Sequence, residues 1–119
     1  MSDHFETPLK RYLQHLAIER GLAENTLASY RRDLLRYVEA LQAAGVAQPQ
    51  QITELVISGY LQDLSRGDQE HKPLSARSVA RHSVAIRQLH KYWELEGICA
   101  PNPAREIQPP AIGQSLPKA

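Results

Sequence analysis

Hydrophobic residues recur at intervals of three and four along four stretches of the chain, a spacing typical of amphipathic helices. The predicted helices span about residues 8–20, 23–44, 54–64 and 76–96. Thr7 with Pro8, Thr53 and Ser75 are suitable helix starts, and a glycine follows each predicted helix. No alternating β-branched run indicates a strand. The pattern therefore predicts an all-α fold. The predicted buried stripes are Leu9, Tyr12, Leu13 and Leu16; Leu27, Tyr30, Leu34, Tyr37, Val38 and Leu41; Ile57, Tyr60, Leu61 and Leu64; and Val79, Ile86, Leu89 and Trp93.

The composition changes after Gly97. Five of the eight prolines follow it, and Asn102 can cap a short helical turn over "NPAREI". We therefore expect a helical domain over residues 1–98 and a Pro-rich linker over residues 99–119 that leads toward a further domain. The alternative is a frayed C-terminus.

The overall composition excludes several classes of protein. The 119 residues suffice for one small domain, and a net charge of +1 gives no global bias toward nucleic acid or acidic membranes. The single cysteine, Cys99, cannot form an internal disulfide, which fits a reducing compartment. No signal-peptide core or long apolar run is present, so we expect a cytoplasmic protein without membrane contact.

The charge is unevenly distributed along the chain. Residues 71–93 contain five Lys or Arg residues and no Asp or Glu, so the remainder carries a net charge of −4. On a helical projection, Arg77, Arg81, Val84 and Gln88 fall opposite the apolar stripe, with Ser78 and Ala85 on one flank. Small residues and arginines together suit a helix that enters the DNA major groove. A solvated charged face is the alternative.

The second helix shows a similar outer face. Asn25, Ser29, Arg32 and Arg36 lie opposite its stripe, whereas Arg31 lies at the core edge. Thr26 is in the first turn, where free backbone N–H groups can help to hold a phosphate. The predicted DNA contacts are thus Asn25, Thr26, Ser29, Arg32, Arg36, Arg77, Ser78, Arg81 and Gln88, with Lys72, Arg87 and Lys91 as further phosphate contacts.

Other chemistry has little support in the sequence. The five histidines lack metal-ligand spacing, and no phosphate loop or cofactor motif is present. Cys99 has no nearby histidine to activate it, and it is expected to be a small semi-buried thiol. Tyr12, Tyr30, Tyr37 and Tyr60 fall on apolar stripes, and only Tyr92 lies off its stripe. We therefore expect no metal, no cofactor and no catalytic residue.

Three segments together resemble one known family. Residues 21–34, "GLAENTLASYRRDL", are similar to the N-terminal signature of Xer-type tyrosine site-specific recombinases, closest to the XerD branch. Residues 75–97 resemble the fourth helix of that family, and "NPAREIQPP" and "SLPK" resemble its interdomain linker. The loop "RGDQEHKPL" departs from the family by being longer and more acidic.

The resemblance implies a small four-helix orthogonal bundle, the SAM-like core-binding domain. It implies half of a C-shaped clamp on double-stranded DNA, with the second and fourth helices crossing the major groove. The catalytic half would be a separate domain, and a second Xer-type recombinase would be the partner in chromosome dimer resolution. The core-binding domain of a phage or integron integrase is the nearest alternative, although "YRRDL" favours Xer. A helical protein-interaction module is the alternative from another class.

Overall fold

The computed structural model describes residues 3–108 of the chain. They form four α-helices, α1 (Asp3–Ile18), α2 (Glu24–Ala43), α3 (Glu54–Arg66) and α4 (Ala76–Leu95), with a 3₁₀ turn at Pro49–Gln51. No strand occurs in residues 3–108, which confirms the all-α prediction. Helices α2 and α4 each pack against the other three helices and form the centre of the bundle. The part of the predicted linker over residues 109–119, including "SLPK", lies outside the described residues. No helix over residues 3–108 is long and apolar enough to cross a membrane.

The last three helices begin and end close to where the sequence places them. Thr53 Oγ1 accepts the Val56 N–H at 3.2 Å, and Ser75 Oγ accepts the Ser78 N–H at 3.1 Å. Each cap satisfies a backbone donor that the first helical turn leaves free. These side chains therefore fix the starts of α3 and α4.

Helix α1 begins earlier than the sequence indicates. The predicted start at Thr7 and Pro8 is wrong, because the helix starts at Asp3 and contains Pro8 in its interior. Proline lacks the N–H that would bond the fourth preceding carbonyl, so one helical hydrogen bond is lost there. Phe5 is fully buried and continues the inward face of Leu9 and Tyr12, and its burial favours the additional turn.

The loop between α3 and α4 is tightly folded. The Asp68 carboxylate accepts hydrogen bonds from the backbone N–H groups of Glu70 and His71 at 2.8 and 2.7 Å. These bonds lower the pKa of Asp68, and the bond from Glu70 has the largest effect. Gly67 has a φ of +77°, and a Cβ there would lie 2.6 Å from the backbone nitrogen of Pro73. The acidic residues that distinguish this loop therefore include one that stabilises its backbone. Lys72 is exposed on it.

The segment after α4 packs onto the bundle. Cys99, Ala104 and Ile107 are buried in the core, so Cys99 is fully rather than partly buried. Glu94 anchors the segment from α4, because its carboxylate accepts the Asn102 N–H at 3.1 Å and pairs with Arg105 at 3.0 Å. Asn102 Oδ1 accepts the Ala104 N–H at 2.8 Å, as expected for a cap, although residues 103–106 form a turn. Packing thus continues into the predicted linker.

Trp93 lies at the centre of the core. Its side chain is fully buried, and its indole Nε1–H donates to the Pro8 carbonyl at 3.1 Å. The ring therefore links α4 to α1 by both apolar burial and a hydrogen bond. Leu34, the corresponding predicted core residue of α2, is also fully buried.

We predict that Trp93→Ala lowers the unfolding free energy by about 3–5 kcal/mol, because a buried aromatic ring is replaced by a cavity. Chemical denaturation followed by circular dichroism measures this. Leu95→Ala, which removes an exposed side chain from the same helix, is the matched control and should change little. Equal denaturation midpoints for the two variants would contradict the central role of Trp93.

A buried histidine links α2 and α4. His90 Nε2 lies 2.7 Å from the Tyr37 hydroxyl, and both residues are fully buried. Removal from water lowers the pKa of His90 from 6.5 to about 3. The imidazole is therefore neutral in the folded protein at neutral pH.

The lowered pKa of His90 predicts that the stability of the protein depends on pH. Its contribution is fully present above pH 6.5. As the pH falls from 6.5 toward 3, only the unfolded chain gains the proton, so the unfolding free energy decreases by up to about 1.4 kcal/mol per pH unit. Urea titrations at several pH values measure the slope. His90→Gln should reduce it, whereas His4→Gln, at an exposed site, should not. A slope unchanged by His90→Gln would exclude His90 as its source.

Candidate nucleic-acid interface

The twelve predicted DNA contacts all reach the surface to some extent. Ser29, Arg36, Ser78 and Gln88 are half-buried, and the other eight are exposed. The helical projection is wrong at one flank position, because Ala85 is only 3% exposed and packs inward. Val84, at 45% exposure, lies on the outer face, as the projection predicts. Ala85 therefore does not contribute a small residue to the outer face of α4.

One carboxylate joins the basic faces of α2 and α4. The Asp33 side chain is 7% exposed, and its Oδ2 lies 3.0 Å from Arg81 Nε while its Oδ1 lies 3.4 Å from Arg81 Nη2. Arg81 therefore makes a two-point contact across the helix interface. Its own side chain remains 51% exposed. Arg81 is consequently a surface residue that is held from beneath.

Two further side chains with nitrogen atoms lie near this carboxylate. Arg32 Nε lies 3.9 Å from Asp33 Oδ1, and buried His82 places Nε2 3.4 Å from the same oxygen. The pKa of His82 is lowered, mainly by burial, and the guanidinium groups of Arg81, Arg36 and Arg32 lower it further while Asp33 opposes them. Two arginines from two helices thus lie around one buried acid, and Arg36 is close enough to His82 to lower its pKa.

The other predicted contacts on α4 lie in a more mixed environment. Gln88 Oε1 accepts from Arg20 Nη1 at 3.4 Å, in a groove of about 690 Å³ between α1 and α4 that Lys91 and Glu96 also line. Arg87 and Lys91 border a second hollow that includes Glu94 and Arg105. Acidic side chains therefore accompany the cations along the second half of α4. Arg32 and Arg81, in contrast, lie 3.9 and 3.0 Å from the same Asp33 carboxylate.

Hydroxyl groups at the ends of the basic face have local roles. The Ser78 hydroxyl accepts from the Ser75 hydroxyl at 3.1 Å in the first turn of α4. Asn25 and Thr26 occupy the exposed first turn of α2, whose cap residue Ala23 offers no side-chain hydrogen bond. The first-turn N–H groups of α2 are thus without a side-chain cap, an arrangement that suits an anion.

Asp33 and His82 were not predicted from the sequence. Asp33 follows Arg31 and Arg32 in "YRRDL" and is easily assigned to the charged surface. Its position, three residues after Tyr30 and four before Tyr37, places it on the edge of the buried stripe. A carboxylate at such a position requires a cationic partner, and that requirement is the signal that could have identified it.

Four of the five tyrosine phenols are poor candidates for an ionised nucleophile. Burial raises the pKa of Tyr12 to about 12, and it also raises the pKa values of Tyr37, Tyr60 and Tyr92. Tyr92 packs against His15, with ring centroids 4.8 Å apart. These phenols serve in packing, including Tyr60, whose ring lies 6.4 Å from that of His82 beside the arginine cluster.

The fold and the sequence together define the class of protein. Residues 9–97 match the family model of the phage integrase N-terminal SAM-like domain, and the chain belongs to this family. The predicted resemblance to Xer-type tyrosine recombinases is also confirmed by relatives. The chain is 44% identical over 108 residues to tyrosine recombinase XerD of Corynebacterium glutamicum, covering 91% of this chain and 36% of the relative.

Two other relatives extend this similarity. Identity is 43% over 113 residues to tyrosine recombinase XerD of Mycobacterium tuberculosis, covering 93% of this chain and 36% of the relative. Identity is 36% over 118 residues to tyrosine recombinase XerC of Pseudomonas putida, covering 95% of this chain and 36% of the relative. The chain therefore spans about a third of the length of these relatives. No solved structure matches it significantly.

Proposed function

We propose that this chain binds duplex DNA as the core-binding half of a Xer-type tyrosine recombinase. It would act in site-specific recombination and chromosome dimer resolution, together with a second recombinase, in the cytoplasm. The observation that supports this most directly is the cluster of Arg32, Arg36 and Arg81 where α2 meets α4. Arginine forks of this kind can contact phosphates or guanine edges.

The basic face accounts for DNA binding by a chain of almost no net charge. Attraction to phosphates depends on the cations near the contact surface, because salt screens charges beyond about 8 Å under physiological conditions. The acid-free stretch over residues 71–93 supplies five cations to α4 and the loop before it. The acidic residues that lower the net charge lie mostly elsewhere in the chain. Local density thus matters more than the total.

The protein-interaction alternative has weaker support. Such a module would use surfaces of Tyr, Trp and Leu, but Trp93, Tyr12 and Tyr37 are buried, at no more than 2% exposure. The large exposed hydrophobic residues Ile18 and Leu55 are on two different helices, α1 and α3. Neither helix carries the basic face of α2 and α4. An integrase core-binding domain remains a close variant of the proposal, because it would use the same surface.

The proposed function predicts that DNA binding depends on the salt concentration. Binding to a fluorescein-labelled 20-bp duplex should weaken linearly with log salt, with a slope of about −0.9 for each phosphate neutralised. Arg77→Ala should reduce the magnitude of that slope by about 1 and weaken binding, since it removes an exposed cation from the first turn of α4. Fluorescence anisotropy at several salt concentrations measures both effects.

Arg11→Ala is the matched control for Arg77→Ala. Arg11 pairs with Glu96 just beyond the far end of α4, about 28 Å along the helix from Arg77 at 1.5 Å per residue. Both variants lose one arginine, but only Arg77→Ala removes it from the proposed DNA-binding face. Equal effects on DNA affinity would refute the α2–α4 face, and binding independent of salt would refute DNA recognition.

The proposed function also predicts that the chain performs no strand cleavage. Cleavage by a tyrosine requires an activated phenol beside cations that stabilise the scissile phosphate. Incubation with a nicked suicide duplex should give no covalent adduct on a denaturing gel. An adduct that disappears when one of the five tyrosines is changed to phenylalanine would overturn the proposed non-catalytic role.

A further inference from the structure

Asp33 is an unusual residue for the centre of a basic surface. It is the one buried acidic side chain among residues 4–108. A buried carboxylate is costly unless it is paired and hydrogen-bonded. A carboxylate also opposes the attraction of the surrounding arginines for DNA. Its presence there calls for an explanation other than charge attraction.

The contact with Arg81 restricts the direction of the guanidinium group. Asp33 takes up the edge that carries Nε and Nη2, with N···O distances of 3.0 and 3.4 Å. No hydrogen bond to Nη1 is present within residues 3–108. A guanidinium has five N–H donors, so about three remain for a ligand. Because Arg81 is 51% exposed, those donors belong to a side chain that is both fixed and accessible.

Neighbouring groups hold the carboxylate itself in place. His82 Nε2 lies 3.4 Å from Asp33 Oδ1, and this ring is only 3% exposed. The adjacent residues of α4, Arg81 and His82, therefore contact the same carboxylate from the surface and from the core. This arrangement joins α2 to α4 at one point. The Arg81 side chain thereby loses much of the rotamer freedom that a surface arginine normally has.

We propose that Asp33 is a positioning residue that pre-orients the Arg81 guanidinium for contact with DNA. The proposal rests on the proposed DNA-binding function and adds a role for an acidic residue that does not itself touch the ligand. Pre-orientation strengthens binding because less side-chain entropy is lost when the contact forms. Arg81 is then the contact whose geometry is set by the fold, rather than one cation among several.

The proposal makes a prediction opposite in sign to that of simple electrostatics. Asp33→Asn removes a negative charge from the interface, so charge alone predicts tighter DNA binding. Loss of positioning predicts weaker binding. Arg81→Lys also separates charge from positioning, because lysine retains the positive charge but lacks the planar guanidinium fork.

The experiment measures affinity for the labelled 20-bp duplex at low salt by fluorescence anisotropy. We expect Asp33→Asn to weaken binding about tenfold, which corresponds to about 1.4 kcal/mol. Arg81→Lys should weaken it nearly as much as Arg81→Ala does. In the Arg81→Ala background, Asp33→Asn should cause no further loss, because the two residues act as a unit.

Each outcome bears on one of the two proposals. Tighter binding by Asp33→Asn, or wild-type affinity in Arg81→Lys, overturns the positioning role. If Asp33→Asn is unfolded by circular dichroism, Arg81→Lys at its exposed position decides the question alone. If Arg77→Ala weakens binding but Arg81→Lys does not, only this inference fails. If the unmodified chain shows no salt-dependent binding, the proposed function fails and the positioning role fails with it.

Discussion

The structure depends on the packing of one face of α4 against three other helices. Val79, Ile86, Leu89 and Trp93 supply that face, and all four are at most 2% exposed. Successive residues on a helix differ by about 100°, so fixing this face leaves little freedom in which side chains reach solvent. Turning α4 by one residue would expose core side chains and draw arginines toward the core. The basic surface is therefore a consequence of how the core is packed.

The pairing of Asp33 with Arg81 is an exception to the separation of apolar core from charged surface. Buried ion pairs contribute little net stability in general, because desolvation offsets much of the attraction. Removing Arg81 is nevertheless costly, since the buried Asp33 carboxylate then loses its two-point partner. We expect the pair to favour one registry between α2 and α4 more than it stabilises the fold. That registry also determines the spacing between Arg32 and Arg81 on the shared surface.

Much of the fold could be predicted because it follows local rules. Thr53 and Ser75 act as caps where their sequence context indicates, and the stripe of α3 is buried as predicted. Pro8 was misleading because proline is common at the first helical position, and only the tertiary burial of Phe5 shows that α1 starts earlier. The pairing of Asp33 with Arg81 joins residues 48 positions apart, so no local pattern could reveal it. The sequence indicates which residues face outward, but it does not show which of these side chains are fixed by a contact with another helix.

The same helix also fixes how the chain leaves the bundle. Glu94, the next-to-last residue of α4, binds Asn102 and Arg105, and Ile107 is buried beyond them. The path of residues 99–107 is thus set relative to the face that carries Arg77 and Arg81. In a recombinase with two linked DNA-binding halves, the gain from linkage depends on whether the connection allows both halves to engage at once. A segment anchored to α4 would limit that geometry from the start, so the helix proposed to contact DNA would also orient the approach of the second half.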